Sequence, residues 1–175
     1  MMKLKELILF VSELCKDDPE FGATKLNKIL FVVDFMAYSV WGDSITGATY
    51  FHLPNGPAPK QMVKALAELA AEKRAHIEER PYFGKIQKRL VPLTGSNTRD
   101  FTKEQLDFVG DAIAHLKGLG AADLSNWTHT LMPWVYTRDK EEIPYNTVFN
   151  MFKVPVRRDG IIWGQKELEK LGAAA

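Results

Sequence analysis

Few side chains in this sequence have the type and spacing that bond-making chemistry requires. Its four histidines fall in different predicted elements and share no ligand spacing, so the pattern does not predict a metal site. They are His52, His76, His115 and His129. Asp34 lies in a predicted helix that is apolar on most sides, where an ionised carboxylate needs a partner or a raised pKa. The sequence favours a structural carboxylate bonded to a nearby donor, because structural networks also perturb buried acids.

Four common enzyme motifs are absent from the sequence. The sequence contains no G-x-x-x-x-G-K-[ST], G-x-G-x-x-G, H-E-x-x-H or G-x-S-x-G. His76-Ile77-Glu78 matches the opening of a zinc deaminase signature, but the P-C-x-x-C segment that supplies the other ligands is missing. We therefore predict that the chain is not an enzyme and uses no cofactor or metal. A site without a known motif, such as Asp34 with His129 in one pocket, stays open as an alternative.

Two helices open the predicted fold and must position Asp34. Helix one carries apolar residues at helical spacing from Leu4 to Cys15 and ends before Pro19, which cannot donate the next helical hydrogen bond. Helix two begins after an expected N-cap at Thr24, and apolar residues cover both of its sides. Such a helix belongs inside the fold.

A strand, a turn and a third helix follow. Residues 46–53 are rich in strand formers and stop at a turn that contains Gly56 and Pro57. We expect Pro57 to block further strand pairing. Helix three then has Pro59 in its first turn and continues to about Lys73.

The next segment predicts a hairpin and a capped helix. Residues 75–94 alternate between apolar and charged side chains, and a bend is expected at residues 81–84. Thr102 and Gln105 form a capping-box pattern ahead of helix four.

A fifth helix over residues 124–131 is interrupted at Pro133, and a short amphipathic piece covers residues 144–152. The predicted fold class is therefore mainly α with a small antiparallel β-sheet (α+β), a helical domain with a winged-helix-like strand and hairpin element. We expect one domain over residues 1–152. Residues 153–175 form a C-terminal tail that packs on this domain or faces a partner.

The composition agrees with one cored domain. The chain has 175 residues, 46% hydrophobic and 26% charged, and a formal net charge of only +1, which gives no overall attraction to nucleic acid or anionic membranes. A single cysteine, Cys15, excludes an internal disulfide. Because no apolar run reaches the roughly 20 residues that span a bilayer and no signal-type segment opens the chain, we expect a cytoplasmic protein with no membrane partner.

Four motifs occur in order along the chain. They are Lys25-Leu26-Asn27-Lys28-Ile29-Leu30-Phe31 with Asp34, Thr46-Gly47-Ala48-Thr49-Tyr50, Asn55-Gly56-Pro57, and Leu124-Ser125-x-x-Thr128-His129 followed by Pro133-Trp134. Together they resemble the Panacea, or SocA-like, antitoxin domain, whose members typically carry a K-L-x-K-L-L-Y/F helix, an extended segment closing on G-P, and L-S-x-x-T-H before P-W. The resemblance covers about residues 4–152. It departs at Asn55, where an aromatic residue before G-P is common.

The resemblance implies the antitoxin of a bacterial, phage or prophage toxin–antitoxin system that neutralises a cognate protein toxin by direct binding, without catalysis. The residues singled out for partner binding are Lys25, Asn27, Lys28, Tyr50, His52, Asn55, Lys60, His129 and Trp134. Those assigned to structural motifs are Asp34, Gly47, Gly56, Pro57, Leu124, Ser125, Thr128 and Pro133. Further candidate aromatic anchors are Trp41, Tyr82, Tyr136 and Trp163. Homo-oligomerisation is left open.

The residue types leave two of these assignments open between structure and binding. Lys25 and Lys28 flank Asn27 near the positive end of a helix, so they indicate an acidic or polar partner within the chain or on another protein. His129 and Trp134 either complete a helix end over the core or form a contact site.

Two other functions compete with the antitoxin interpretation. A winged-helix-like DNA-binding regulator is possible because residues 60–90 hold eight Lys and Arg against four Glu, although a solvated mixed-charge face explains this almost as well. A proteolytic adaptor would deliver the toxin to a protease instead of covering it. The final residues 171–175 are either a frayed end or a degron, and residues 161–163 are either a terminal strand or a partner-facing segment.

Overall fold

The centre of the fold is helix α2, Ala23–Trp41, whose side chains are buried on nearly every side. The computed structural model describes residues 2–150 of the chain. Ile29, Leu30, Phe31 and Phe35 of α2 each expose 1% or less, because helices, strands and the hairpin surround this helix. The prediction of a helix inside the fold is confirmed.

The expected N-cap of α2 is wrong by two residues. The cap is Gly22, which provides no side-chain hydrogen bond, and Thr24 lies within the first turn. A Cβ at position 22 would lie 2.8 Å from the Gln87 side chain. Packing of the hairpin against this point therefore favours glycine over a residue with a capping side chain.

The remaining helices surround α2. They are α1 (Met2–Leu14), α3 (Met62–Ala71), α4 (Lys103–Leu116), α5 (Ala121–Thr130), α6 (Met132–Val135) and a 3-10 helix (Tyr145–Asn150). The predicted capping box of α4 is confirmed, since the backbone N–H of Gln105 donates to Thr102 Oγ1 at 3.1 Å and Gln105 Oε1 accepts from the Thr102 N–H at 3.1 Å. Pro133 lies in the first turn of α6, whose N-cap, Leu131, has an extended backbone conformation.

A three-stranded antiparallel sheet lies beside α2. It has the order β2 (Ala58–Pro59), β1 (Tyr50–Phe51) and β5 (Glu142–Ile143). The sequence prediction was wrong here in three respects. The strand over 46–53 is only two residues long, and Pro59 lies in β2 instead of α3. Pro57 does not block further strand pairing either, because pairing begins at the next residue, Ala58. The missing N–H of Pro59 is tolerated because β2 is an edge strand.

The predicted hairpin is confirmed as β3 (Ala75–Tyr82) and β4 (Lys85–Pro92), joined by Phe83 and Gly84. With the helices and the first sheet it establishes the α+β class. The residues of this hairpin pair along its whole length, from Ala75 with Pro92 to Tyr82 with Lys85.

Arg89 fastens this hairpin to the body of the protein. Its guanidinium donates to the carbonyl oxygens of Asp18 at 2.7 Å and Cys15 at 2.9 Å, and also to that of Lys16. The side chain is buried and lies over the ring of Phe21, 5.5 Å from its centroid. These carbonyls follow the C-terminal end of α1, whose partial negative charge attracts a cation.

Helices, strands and hairpin share one hydrophobic core in the part of the chain that the structure covers. Within residues 2–150, no helix has the length and apolar content needed to cross a membrane. The predicted domain end at residue 152, the tail 153–175, the anchor Trp163 and the degron lie outside the described residues.

Candidate functional site

Three of the four sequence motifs meet where α2, α5 and the β1–β2 connection come together. We call Lys28, Asn55, Gly56, Ser125 and Thr128 the motif cluster. The Lys28 ammonium donates to the carbonyl oxygen of Asn55 and lies 3.4 Å from that of Pro57, and Ser125 Oγ donates to the same Asn55 carbonyl at 3.0 Å. The cluster therefore joins a helix, a turn and a second helix through a single backbone segment.

Gly56 allows this close approach. Its φ is +95°, and a Cβ there would lie 2.5 Å from Lys28 Nζ and 2.9 Å from Thr128 Oγ1. Side chains disfavour this backbone conformation, and this position also has no space for one. Glycine is thus required for Lys28 and Thr128 to pack against the turn.

Lys28 is a cation with almost no access to water. Its side chain is 1% exposed, and burial lowers the pKa of the ammonium to about 8. Backbone carbonyls are its hydrogen-bond acceptors, and no carboxylate within the described residues forms a salt bridge with it. The ammonium therefore loses its proton from about pH 8 upward, below the range in which a lysine ordinarily titrates.

Lys28→Met is expected to remove a pH dependence from folding. The folded pKa of about 8 lies below the ordinary value of 10.5, so the unfolded chain binds more protons between these two pH values and stability rises with pH across this window. From pH 7.5 to 9.5, the parent chain should gain about 2 kcal/mol of unfolding free energy relative to Lys28→Met. Urea unfolding of both proteins at the two pH values measures this gain. Parallel pH profiles would contradict the assignment, because all other titrating groups are common to both.

Trp134 lies between two histidine rings beside the motif cluster. The ring centroids of His52 and His129 are 3.3 Å and 4.2 Å from that of Trp134, and each ring is tilted by 22° from it. His129 Nε2 is buried without a hydrogen-bond partner in the described region. Burial, and then the charges of Lys28 and His52, lower the pKa of His129, so the neutral ring predominates at neutral pH.

A second polar network lies deeper in the core, around Asp34. Its carboxylate accepts hydrogen bonds from the Thr46 N–H at 2.9 Å, the Tyr50 hydroxyl at 2.8 Å and the Thr46 hydroxyl. Burial raises the pKa of Asp34, and the hydrogen bonds from Thr46 and Tyr50 oppose this rise. Asp34 is fully buried, so it has the environment of a structural carboxylate.

A family model described as the SocA-like antitoxin, Panacea domain matches residues 26–135, which is more than half of the chain. The chain belongs to this antitoxin family. Comparisons with curated proteins and with solved structures give no match. The matched region is narrower than the 4–152 expected from the motifs, and it contains the motif cluster and the Asp34 network. Lys25 lies one residue before it.

Three of the residues singled out for partner binding are buried. Tyr50 exposes 0% of its surface, and Lys25 and Lys28 expose 1% each. Lys25 pairs with Asp18 at 2.7 Å and donates to the Leu119 carbonyl at 2.7 Å. Their acidic or polar partners are therefore inside the chain, and direct toxin contact does not agree with this burial.

The other six residues singled out for partner binding are at least partly exposed to solvent. Asn27, His52, His129 and Trp134 are half-buried, whereas Asn55 and Lys60 are exposed. Toxin contact stays a prediction for these residues.

Among the motif residues assigned to structure, Leu124, Thr128, Pro133, Gly56 and Pro57 are buried. Ser125 is half-buried. Gly47 is exposed, with φ +68°, and its N–H donates to Ser44 Oγ at 3.0 Å. The five buried residues pack into the domain, whereas Gly47 lies in a turn on the surface.

Two residues of the Panacea domain were not singled out from sequence. Phe83 lies at the tip of the hairpin, and Gly110 lies in the middle of α4. Each carries a local signal, since an aromatic residue is unusual in a two-residue hairpin loop and glycine is unfavourable within a helix. Neither signal falls within a family motif.

Proposed function

We propose that this chain neutralises a cognate protein toxin by direct protein–protein binding and performs no catalytic step. Membership of the antitoxin family is the observation that carries this proposal. The pair would meet in the bacterial cytoplasm. Burial raises the pKa of Cys15 to about 11, which keeps its thiol protonated there.

The chemistry of the described polar groups supports a binding function. The Asp34 carboxylate and the Lys28 ammonium are engaged by groups of the same chain and have little or no access to solvent. Residues 2–150 contain no group of three His, Cys, Asp or Glu side chains placed to hold a metal ion. What these networks do is fix the backbone that carries the surface residues.

Co-expression with the product of the neighbouring gene is expected to restore the growth that this product alone prevents, and the two proteins should co-purify. Growth curves and affinity purification measure the two outcomes. A neighbour that is not toxic, or that is toxic and neither bound nor neutralised, contradicts the proposal.

The same experiment separates occlusion from delivery to a protease. If the chain covers its toxin, the amount of toxin stays constant or rises when the chain is present. If it is an adaptor, toxin abundance falls and recovers when the host protease is deleted.

DNA binding is the weaker alternative. Of the eight basic residues between 60 and 90, Arg74 forms an ion pair with Glu6 at 2.6 Å, Arg80 with Glu78 at 2.7 Å, and Arg89 is buried. The pairing of Arg74 with Glu6 and the burial of Arg89 together halve the local excess of four positive charges that suggested a nucleic-acid surface. Affinity for duplex DNA that falls steeply with salt would favour this alternative.

A further inference from the structure

An apolar groove lies beneath the tip of the hairpin, and no residue of the motif cluster lines it. Its volume is about 900 Å³, and we call it the hairpin groove. Its main apolar lining residues are Leu14, Ile29, Tyr82, Phe83, Gly110 and Ile113. They come from α1, α2, the hairpin and α4, and none belongs to the motif cluster. Lys25 and Ile29 belong to the first motif, but Phe83 and Gly110 lie outside every motif, so the motifs explain only part of this groove.

Phe83 is unfavourable for the isolated chain in two ways. Its side chain is 89% exposed, and its φ of +46° lies in the left-handed region. With Gly84 at φ +72° it forms the two-residue loop of a type I′ turn, in which Asn, Asp or Gly is preferred at both positions. A strained and exposed aromatic residue is not explained by the fold, and such outliers collect at functional sites.

Gly110 opens the other wall of the groove. It stands inside α4, where glycine is destabilising, yet a Cβ at this position would meet no atom within 4 Å. Packing within the described residues therefore does not require it. What the missing side chain provides is open space in the groove that Phe83 also lines.

The rim of the groove is acidic. Asp17, Asp18 and Glu20 line it on one side, and Lys25 and Lys117 are its basic residues. Lys25 already pairs with Asp18, so among the described side chains Asp17 and Glu20 face a single remaining cation. Electrostatic complementarity thus favours an occupant that is apolar with basic flanks.

We propose that the hairpin groove is the docking surface for the toxin, which inserts an aliphatic or aromatic side chain next to a lysine or arginine and packs it against Phe83 over Gly110. This inference rests on the proposed function and names its surface. Exposed aromatic residues that enclose a concave apolar site are typical binding hot spots.

Phe83→Asn and Gly110→Leu test the groove with opposite expectations for stability and binding. Asparagine suits the type I′ turn and leucine suits a helix, so the urea midpoint of each variant should equal or exceed that of the parent chain. Affinity for the immobilised product of the neighbouring gene should nevertheless fall at least about tenfold in both. Val63→Asn is the matched control, because it removes an apolar side chain that is 81% exposed on α3, and its affinity should stay within about twofold.

Charge reversal tests the chemistry of the occupant. Asp17→Lys should weaken binding and reduce its sensitivity to salt, because it removes an attraction at the rim. Stronger binding by Asp17→Lys would show that the occupant is acidic and would overturn the inference.

The remaining outcomes are also decisive. If the parent chain binds the toxin and both Phe83→Asn and Gly110→Leu bind it with the same affinity, the toxin does not dock in the hairpin groove. The proposed function is then unaffected. Absence of binding by the parent chain overturns both. Loss of self-association in Phe83→Asn, with toxin affinity unchanged, would show that a second copy of the chain fills the groove.

Discussion

Asp34→Ala is expected to lower the free energy of unfolding by about 3–5 kcal/mol. The substitution leaves the Thr46 N–H, the Thr46 hydroxyl and the Tyr50 hydroxyl without their acceptor inside the core. A buried donor that loses its partner costs about 1–3 kcal/mol, and the small cavity adds to this sum. Urea unfolding followed by circular dichroism measures the loss.

Two control variants separate the carboxylate from its surroundings. Asp34→Asn keeps the shape and one acceptor, so it should lose about half as much as alanine. Tyr50→Phe removes a single donor, and its loss should be about 1–2 kcal/mol. An Asp34→Ala chain within about 0.5 kcal/mol of the parent would contradict the structural function of the network, because surface changes alone have effects of that size.

Gly56→Ala is expected to destabilise the chain by about 2–4 kcal/mol, since it combines backbone strain with overpacking. The new methyl group would lie 2.5 Å from Lys28 Nζ and 2.9 Å from Thr128 Oγ1, so the motif cluster must open to admit it. We further expect loss of growth rescue at 37 °C, because a marginally stable domain tolerates few such losses.

Gly47→Ala is the matched control for this substitution. Gly47 also has a positive φ, +68°, but a Cβ there meets nothing within 4 Å. It should lose only about 1 kcal/mol, the strain without the collision. Equal losses at the two positions would mean that close packing at Gly56 contributes nothing.

Local signals predicted the elements that depend on local chemistry. The capping box of α4 needs only Thr102 and Gln105, and the hairpin needs only alternation around the bend at residues 81–84. The strand at 46–53 and the helix start at Pro59 were wrong, because β1 and β2 exist through pairing with each other and with β5. Local sequence patterns cannot predict these strands, because β1 also pairs with β5, which lies far away along the chain.

The site shows the same division. The motifs identified the chain segments that come together, but not which side chains they bury. Lys25 reaches a carbonyl 94 residues away at Leu119, and Lys28 reaches one 27 residues away at Asn55. Because these acceptors are far away along the chain, the sequence alone did not show that both lysines are buried.

Arg89 separates the two ends of the hairpin in a way that matters for how recognition can change. The base is held by carbonyls of the loop after α1, whereas residues 79–86 lie beyond that anchor along the hairpin, where the Tyr82 hydroxyl donates to Glu20 Oε1 at 3.2 Å. Under the proposed docking at the hairpin groove, substitutions at the exposed tip residues Phe83, Gly84 and Lys85 would change the target, while the buried Arg89 keeps the base of the hairpin in place.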